Sequence, residues 1–296
     1  MKNNGSLALV TVLYNSDTVL PDFFESLARQ TFKNFKLFVV DNSTSSSARD
    51  LCDVAAHKYN IDIDYIFNGE NVGVAKGNNI GILKAISEKF DKVLLLNNDI
   101  TFPENTFFDM LAQSANYNEK IFVPKIYFHG TDTLWMAGGS MSLWTARTPH
   151  RGEGETDVGQ YEQSDIVSYA PTCFMLIDSV VFDAVGIMDE KYFVYYDDSD
   201  FIYRCVSKGF LVRYLPKITV THKVSALTGG NESPFSVFYA NRNRLYFIRK
   251  NLTGLKRLVA ILYFFATRML CSFKQSSKIN GVVFRAILAS RNMSKM

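Results

Sequence analysis

The sequence predicts an α/β protein with a mostly parallel sheet flanked by helices, followed by a C-terminal helical appendage. Strand and helix patterns alternate with short connections over about the first 125 residues, which indicates βαβ units with right-handed crossovers. The aliphatic run Val93–Leu96 lacks period-two alternation and is typical of a strand covered on both faces. It ends at Asn97-Asn98-Asp99, and ligands of open α/β sheets lie beyond such strand ends. A triplet of this kind also forms Asx turns and helix caps, so the rest of the chain must decide its role.

The other elements follow in chain order from apolar runs and from apolar residues at helical spacing. Strands are predicted at 7–13, 35–40, 61–67 and 121–128, and helices at 18–30, 46–59, 74–90 and 104–115. Residues 138–160 are rich in glycine and are predicted to be an irregular, functional or mobile loop. A strand at 166–177, a helix from Asp197 to Gly209 and a strand at 211–215 that leads on to His222 complete the body.

Composition is that of a folded protein. The chain has 296 residues, of which 47% are hydrophobic and 21% charged, enough for one large domain with an appendage, so general disorder is excluded. Its 4 cysteines are isolated and show no zinc-binding spacing, which fits a reducing cytoplasm. Because the first residues contain no apolar signal segment, we expect the protein to stay inside the cell.

Charge is strongly segregated along the chain. Residues 233–296 hold 12 Lys and Arg and no Asp or Glu, so the tail carries +12 and the body −9. Such a tail is expected to meet an anionic partner, either nucleic acid or a membrane surface. Nucleic acid is discounted because no helix-turn-helix, RNA-binding aromatic motif or zinc finger accompanies the charge.

Three aspartates, Asp197, Asp198 and Asp200, open the predicted helix that ends at Gly209. The helix dipole and free backbone amides favour one or two acids there, and Asp200 forms a well-oriented i,i+4 pair with Arg204. The helix dipole and the free amides thus account for one or two of these aspartates but do not require all three. Clustered carboxylates raise one another's pKa, an arrangement common where a base or a cation is required.

Several motifs recur together in one family. They are 11–15 (TVLYN), 40–43 (VDNS), 71–79 (NVGVAKGNN), 96–99 (LNND), 186–204 and His222. In this order they resemble the inverting family 2 glycosyltransferases, most closely the rhamnosyltransferase and galactofuranosyltransferase-like branch, over roughly residues 6–250. Each motif alone is weak, whereas the complete series in register is specific.

The resemblance implies a GT-A fold, with a Rossmann-like nucleotide-sugar half at about 1–125 and an acceptor half at about 126–232, before the basic helical region 233–296. It implies that the base, ribose and sugar of a UDP- or dTDP-linked donor meet ten residues, Thr11, Tyr14, Asn15, Asp41, Asn71, Gly73, Lys76, Asn78, Asn97 and Asn98. Glycine in the 71–79 loop would allow close backbone approach, although no P-loop motif is present.

The resemblance also implies catalytic roles. Asp99 ends the family's metal motif, whose first acid is Asn97 here, and with His222 it would hold Mn²⁺ or Mg²⁺ against the donor diphosphate. A nitrogen ligand favours Mn²⁺, although an isolated histidine at a strand end is more often simply packed. Asp198 matches the family's catalytic base, which takes the proton from the attacking acceptor hydroxyl.

The acceptor is expected to meet Asp197, which replaces a family Glu, together with Arg204, Thr172 and Trp135. Trp135 is a candidate for stacking on a sugar and equally for a core position. By the resemblance, the acceptor would be a glycan, in keeping with bacterial O-antigen or capsule assembly. Two competing functions remain: a nucleotide-sugar-binding module that has lost activity, and a sugar nucleotidyltransferase, whose Gly-rich, Arg-containing phosphate loop is missing here.

The tail has an uninterrupted apolar run only at 258–266, too short to span a bilayer, which needs about 20 residues. Arg257, Arg268 and Gln275 fall on one helical face, and the remaining surface is rich in Leu, Ile, Phe and Tyr. This basic amphipathic pattern predicts peripheral attachment to an anionic membrane on its cytoplasmic face, which suits a lipid-diphosphate-linked acceptor. Packing of the tail on the body or in a homo-oligomer is the alternative.

Overall fold

The computed structural model describes residues 5–223 and 233–293, which form one ten-stranded sheet covered by helices. The strands are β1 (Leu7–Leu13), β2 (Phe35–Asp41), β3 (Asp62–Phe67), β4 (Lys92–Leu96), β5 (Ile100–Thr101), β6 (Ile121–Phe128), β7 (Leu134–Met136), β8 (Asp165–Val167), β9 (Phe174–Asp178) and β10 (Val212–His222). The helices are α1 (Leu20–Arg29), α2 (Ser47–Tyr59), α3 (Val74–Ser87), α4 (Thr106–Ser114), α5 (Val180–Val185), α6 (Asp197–Ser207), α7 (Pro234–Asn251), α8 (Gly254–Ser272) and α9 (Ser277–Arg291).

The sheet order β3-β2-β1-β4-β9-β6-β10-β5 confirms the predicted architecture. Strands β3, β2, β1 and β4 are mutually parallel, as are β6 and β10. Between these two groups lies β9, which runs antiparallel to both β4 and β6. The buried strand β4 therefore has one parallel and one antiparallel neighbour. The sequence did not predict this difference, because an apolar run indicates burial on both faces but not the direction of the adjacent strand.

Parallel pairing brings the predicted polar strand ends to one edge of the sheet. Leu13, the last residue of β1, is paired with Asp41, the last residue of β2, and β4 lies on the other side of β1. Since the chain moves outward from β1 through β2 to β3 and then returns to β4, the strand order reverses between β1 and β4. This is the position at which open α/β sheets bind their ligands.

Two predicted strands differ from those observed. The expected strand at 166–177 is interrupted at 168–173, so that β8 pairs with β10 and β9 pairs with β4. The two pieces expected at 211–215 and 220–222 form the single strand β10, with a register shift between Leu215 and Thr219.

The C-terminal helices build a second core. Leu245, Tyr246, Phe247 and Ile248 of α7 pack with Tyr192 and Ala146 of the body, and α9 packs against α7. The domain boundary expected at residue 232 lies outside the described residues. Helix α7, which begins just after that boundary, packs into the body. Among the described helices, none combines the length and hydropathy needed to cross a membrane.

Candidate active site

The residues expected at the base and ribose lie at the ends of β1 and β2. Tyr14 and Asn15 are exposed beyond β1, whereas Thr11 is buried within it. Asp41 is fully buried, with one carboxylate oxygen accepting from Ser43 N at 2.8 Å and the other from Tyr65 Oη. Both oxygens of Asp41 are thus engaged within the protein in this conformation.

The loop before α3 joins the two halves of the body. Gly73 has a φ of +86°, and a Cβ there would lie 2.6 Å from the Phe193 carbonyl oxygen. Asn71 Oδ1 accepts from Gly73 N at 3.0 Å and closes the turn, while Lys76 is exposed on the first turn of α3. Asn78 is buried with its amide against Met188. The expected close approach at Gly73 is therefore to the backbone of Phe193, and Asn78 packs on Met188 rather than facing open space.

The three residues after β4, Asn97, Asn98 and Asp99, contact different parts of the protein. Asn97 is exposed, and its backbone N–H donates to the Cys173 carbonyl at 2.8 Å, which brings Thr172 and Cys173 to this strand end. Asn98 is buried and donates to the Val12 carbonyl at 2.9 Å. Asp99 is directed the other way, toward β10, so only this member of the triplet meets the predicted partner.

Asp99 and His222 meet where β5 pairs with the end of β10. His222 is opposite Ile100 in this pairing, and its Nε2 lies 3.1 Å from Asp99 Oδ1. Asp99 Oδ1 is buried and forms no hydrogen bond with any described residue. Two neighbouring ligands of an octahedral ion, each about 2.1 Å from it, are about 3.0 Å apart. The pair therefore fits a divalent cation, and no third His, Cys, Asp or Glu joins it within the described residues.

Asp198 lies in the first turn of α6, in a pocket of hydrogen-bond donors. Tyr169 Oη donates to Asp198 Oδ2 at 2.6 Å, while Ser199 N and Oγ approach Oδ1 at 2.6 and 3.2 Å. Burial raises the pKa of Asp198, against the opposing effect of these donors. The carboxylate is thus held in one orientation and binds a proton more readily than an exposed aspartate does.

Asp197 and Asp198 are neighbouring acids, so each disfavours the negative charge of the other. Burial, together with the charge of Asp198, raises the pKa of Asp197 to about 8. The pair therefore disfavours two negative charges, and the Asp198 oxygens accept from Tyr169 and Ser199, which stabilise the ionised form of that residue. One carboxylate flanked by a neutral acid is the state in which a general base can accept a proton.

A row of rings connects the Asp99–His222 pair with Asp198. Trp135 packs edge-on against His222 on one side and His150 on the other, with ring centroids 4.6 and 4.5 Å apart. His150 stacks on Tyr169, the donor to Asp198, at 6.0 Å. Burial lowers the pKa of His150, so its ring is neutral. Trp135 is consequently a spacer between the two parts of the site, a position that combines its predicted site and packing roles.

The backbone before Asp198 is strained and held from outside. Phe193, Tyr195 and Tyr196 all have positive φ, at 64°, 63° and 66°. Asn243 of α7 donates through Nδ2 to the carbonyls of Tyr192, Val194 and Tyr195 at 2.7, 2.7 and 2.8 Å. Strain of this kind persists only where the surroundings over-determine it.

Beside Asp198 a cavity of about 650 Å³ opens between the body and the C-terminal helices. Its lining includes Tyr169 and Asp198 from the body, Asn241 from α7, and Arg268, Lys274 and Gln275 from α8 and the turn after it. A hydroxyl placed in this cavity could reach the Asp198 carboxylate.

Comparison with protein families identifies the family of this chain, because residues 8–186 match the model of glycosyl transferase family 2. The chain belongs to glycosyltransferase family 2.

Two curated relatives match most of the chain. The dTDP-rhamnosyl transferase RfbF of Shigella flexneri is 25% identical over 256 residues, which are 84% of this chain and 81% of that protein. The low-salt glycan biosynthesis hexosyltransferase Agl10 of Haloferax volcanii is 27% identical over 262 residues, 87% of this chain and 79% of that protein.

Solved structures share the fold. A crystal structure of GalNAc-T7 with UDP, GalNAc and Mn²⁺ superposes with a TM-score of 0.68 at 14% identity, and covers 95% of this chain. This chain in turn spans 54% of that longer one. The likeness confirms the GT-A fold, and the protein is a glycosyltransferase family 2 enzyme.

Arg204 has a different position from the one expected. Its guanidinium donates to Asp200 Oδ2 at 2.9 Å and to the carbonyls of Val185 and Ile187 at 2.9 and 2.8 Å. The predicted pair with Asp200 is confirmed, and it leaves Arg204 bound into α6 and the preceding loop. Arg204 therefore positions the helix that carries Asp198 instead of facing an acceptor.

Sequence reasoning missed Tyr169, His150 and Asn243. Tyr169 lies inside the run taken as one strand, and its polar tip in that apolar context was the available signal. His150 lies in the glycine-rich loop, and Asn243 in the tail that was assigned to a membrane. For these two no local pattern points to the site, because only tertiary packing brings them to it.

Proposed function

We propose that this family 2 enzyme is an inverting glycosyltransferase that moves a hexosyl, rhamnosyl or galactofuranosyl group from a UDP- or dTDP-linked donor to a hydroxyl of a glycan acceptor. The process served is assembly of a bacterial cell-surface polysaccharide such as an O-antigen or capsule. The observation that carries the proposal is the Asp198 carboxylate, which Tyr169 and Ser199 hold in one orientation at a cavity large enough for a sugar. The relatives, a dTDP-rhamnosyl transferase and a hexosyltransferase, support this donor class.

In the proposed reaction, Asp198 accepts the proton of the acceptor hydroxyl. The acceptor oxygen forms a bond to the anomeric carbon while the bond from that carbon to the diphosphate oxygen breaks on the opposite face, so configuration inverts. Tyr169 and Ser199 keep the carboxylate aimed, and positioned proton transfer of this type contributes about 10²- to 10⁴-fold in rate.

Asp99 and His222 are the residues proposed to hold Mn²⁺ or Mg²⁺. The 3.1 Å separation of their ligand atoms supports this, as do the burial of Asp99 Oδ1 without a hydrogen bond to any described residue and the Mn²⁺ in the GalNAc-T7 structure. When bound, the ion supplies charge neutralisation to the departing diphosphate. Within the described residues the site offers these two protein ligands, so diphosphate oxygens and water would supply further ones.

Substitution of Asp198 by Asn tests the proposal. Screening UDP- and dTDP-sugars with Mn²⁺ for binding and hydrolysis first identifies the donor. Asp198→Asn should then lower sugar transfer by about 10²-fold or more with donor affinity nearly unchanged, because an amide cannot take the proton. The matched control is Asp183→Asn, which alters an exposed aspartate of the neighbouring helix α5.

Wild-type transfer rates in folded Asp198→Asn would overturn the base assignment. Donor binding without any transfer or hydrolysis by the wild-type protein would favour the inactive binding module, and formation of a nucleotide sugar from NTP and sugar phosphate would favour the nucleotidyltransferase.

Peripheral attachment to the cytoplasmic face of an anionic membrane is part of the proposal. The outer face of α8 carries apolar residues three or four positions apart that are 46–81% exposed: Leu255, Leu258, Leu262, Phe265, Met269 and Phe273. An exposed stripe of this length marks an interaction surface, and the basic character of the tail favours anionic lipid. Such a location suits a lipid-diphosphate-linked acceptor.

Cosedimentation of the full chain with vesicles of stated phosphatidylglycerol content measures this attachment. Leu258→Gln, Leu262→Gln and Met269→Gln together should abolish salt-sensitive binding, whereas Phe108→Gln, an exposed apolar residue of α4, should not. If the triple variant binds vesicles as wild type does but no longer sediments as a dimer, the exposed apolar stripe of α8 is a homo-oligomer interface and not a membrane-binding surface.

A further inference from the structure

Three arginines lie near Tyr196, a residue that lines the Asp198 cavity. Arg147, Arg244 and Arg268 all lie close enough to Tyr196 to act on its pKa, which burial raises to about 12 and the three charges lower. Tyr196 itself lines the cavity next to Asp198. Within the described part of the chain, the ion pairs made by arginines are those of Arg29, Arg151, Arg204 and Arg213, so none of the three has an acidic partner there.

Two of these guanidinium groups have unsatisfied donors. Nε of Arg244 and Nε of Arg268 are buried and form no hydrogen bond with any described residue. Arg244 is 8% exposed, donates through Nη2 to the Thr145 carbonyl at 2.6 Å, and lies over the rings of Tyr263 and Phe264. Burial, with the charges of Arg268 and Arg147, lowers the pKa of Arg244. A buried cation without a counter-ion is costly, so the cluster would be stabilised by an anion.

The same cavity has further groups that favour negative charge. Lys274 and Gln275 line it from the turn after α8. Ser276 and Ile279 also line it, and Ser276 caps α9 by accepting from Ile279 N at 3.3 Å, so the 15-residue helix directs its N-terminus to this side. Free amides and the helix dipole at such an end attract anions.

This anion site is separate from the donor's diphosphate position. Asp99 and His222 contact each other on the far side of Trp135, and among the described residues that line the cavity there is no member of the 97–99 triplet. The exposed apolar stripe, by contrast, belongs to α8, the helix that also supplies Arg268. A ligand phosphate at Arg268 would therefore lie close to the surface that we propose meets lipid.

We propose that Arg268 and Lys274, which line the cavity, form with the N-terminus of α9 a subsite for a phosphate or diphosphate group of the acceptor, which places that acceptor's hydroxyl at Asp198. Arg244 adds positive charge from outside the cavity lining. The acceptor is accordingly a glycosyl phosphate or diphosphate rather than a neutral glycan. This rests on the proposed function and assigns residues to the acceptor side of it.

Binding of inorganic pyrophosphate in EDTA, measured calorimetrically on the full chain, tests the subsite. Arg268→Gln and Lys274→Gln should each weaken binding by about tenfold or more, because each removes a charge-assisted contact. The matched control is Arg285→Gln, an exposed arginine in the middle of α9 and outside the cavity lining, which should bind as wild type does. Arg244 is left unchanged because its burial makes folding sensitive to substitution.

Further arms separate the alternatives. Asp99→Ala should retain pyrophosphate binding; loss there would move the bound anion to the donor site and overturn the proposal. Equal binding by Arg268→Gln and Arg285→Gln would overturn it as well. Should Arg268→Gln lose phosphatidylglycerol-vesicle binding but bind pyrophosphate normally, the cluster would be a lipid-headgroup contact and the acceptor assignment would be wrong.

Donor hydrolysis is measured alongside as the separate test of the proposed function. A protein that hydrolyses donor but shows no Arg268-dependent pyrophosphate binding contradicts the subsite alone. Arg268-dependent binding in a protein that acts on no donor contradicts the proposed function.

Discussion

Asn243→Ala is expected to impair catalysis from a position outside the cavity. Asn243 is fully buried in α7, and its side-chain amide lies within 2.8 Å of three carbonyls of the segment that precedes Asp198. An amide NH₂ has two hydrogens, so at most two of these contacts are full hydrogen bonds and one is shared. The substitution therefore removes about two bonds donated by the amide NH₂ and the bond that Oδ1 accepts from Arg242 Nε at 2.8 Å, and it leaves buried carbonyls unpaired.

The magnitude follows from these contacts. Three lost bonds at about 1 kcal/mol each, plus part of the desolvation cost of the orphaned carbonyls, make a loss of about 3–5 kcal/mol in the free energy of unfolding. The positive φ angles of Tyr195 and Tyr196 cost about 1–2 kcal/mol each, and the Asn243 contacts that help to offset this cost are lost in the variant. Arg242 still donates to the Lys191 and Tyr192 carbonyls, so the segment shifts rather than detaches. A shift of about 1 Å at Asp198 lowers kcat by about 10- to 100-fold.

Steady-state sugar transfer and urea unfolding measure the two effects on the same protein. The matched control is Leu27→Ala in the core of α1, which should lose a similar 2–5 kcal/mol of stability without acting on Asp198. We expect kcat to fall in Asn243→Ala only, with the donor KM within about twofold of wild type. Equal kcat values for the two variants would show that Asn243 contributes to stability alone and refute the reasoning.

Three further predictions concern protonation, metal and backbone. Because Asp198 acts ionised and burial raises its pKa, kcat should fall as pH is lowered through values above the ordinary aspartate range; a profile flat to pH 4 would contradict this. Asp99→Ala should abolish cation-dependent donor binding measured by calorimetry, and full activity in excess EDTA would refute a metal role. Gly73→Ala should lower thermal stability by about 2 kcal/mol or more, since the added Cβ would meet Phe193 and the positive φ disfavours alanine; an unchanged melting temperature would contradict that contact.

The fold of the first half could be predicted because each element has a local signal. The strand predicted at 7–13 has the bounds of β1, and β2 extends the predicted strand by a single residue. The insertion of β9 between β4 and β6 could not be predicted, because side-chain burial does not record whether a neighbour runs parallel or antiparallel.

The candidate site was predictable only where chemistry coincides with a strand end or helix start. Asp99 and Asp198 meet that condition, and the Asp99–His222 contact follows from the pairing of β5 with β10. Asp41 also lies at a strand end, yet its carboxylate is turned toward Tyr65. The position of a residue in a strand therefore predicts where its backbone lies in the sheet. The contacts of its side chain depend on tertiary neighbours, which the local sequence pattern does not reveal.

The basic tail combines several functions that a net charge cannot separate. Lys250 pairs with Asp189 and Asp200 at 2.7 and 2.9 Å, and Arg242 donates to backbone carbonyls of the body. These charges neutralise acids or hold loops and do not face a membrane. The basic residues that remain exposed within the described tail are Lys256, Lys274, Lys278, Arg285 and Arg291. At about 1 kcal/mol for each Lys or Arg near an anionic surface, they can contribute only a few kcal/mol, so the exposed stripe of α8 must supply the rest of any stable membrane attachment.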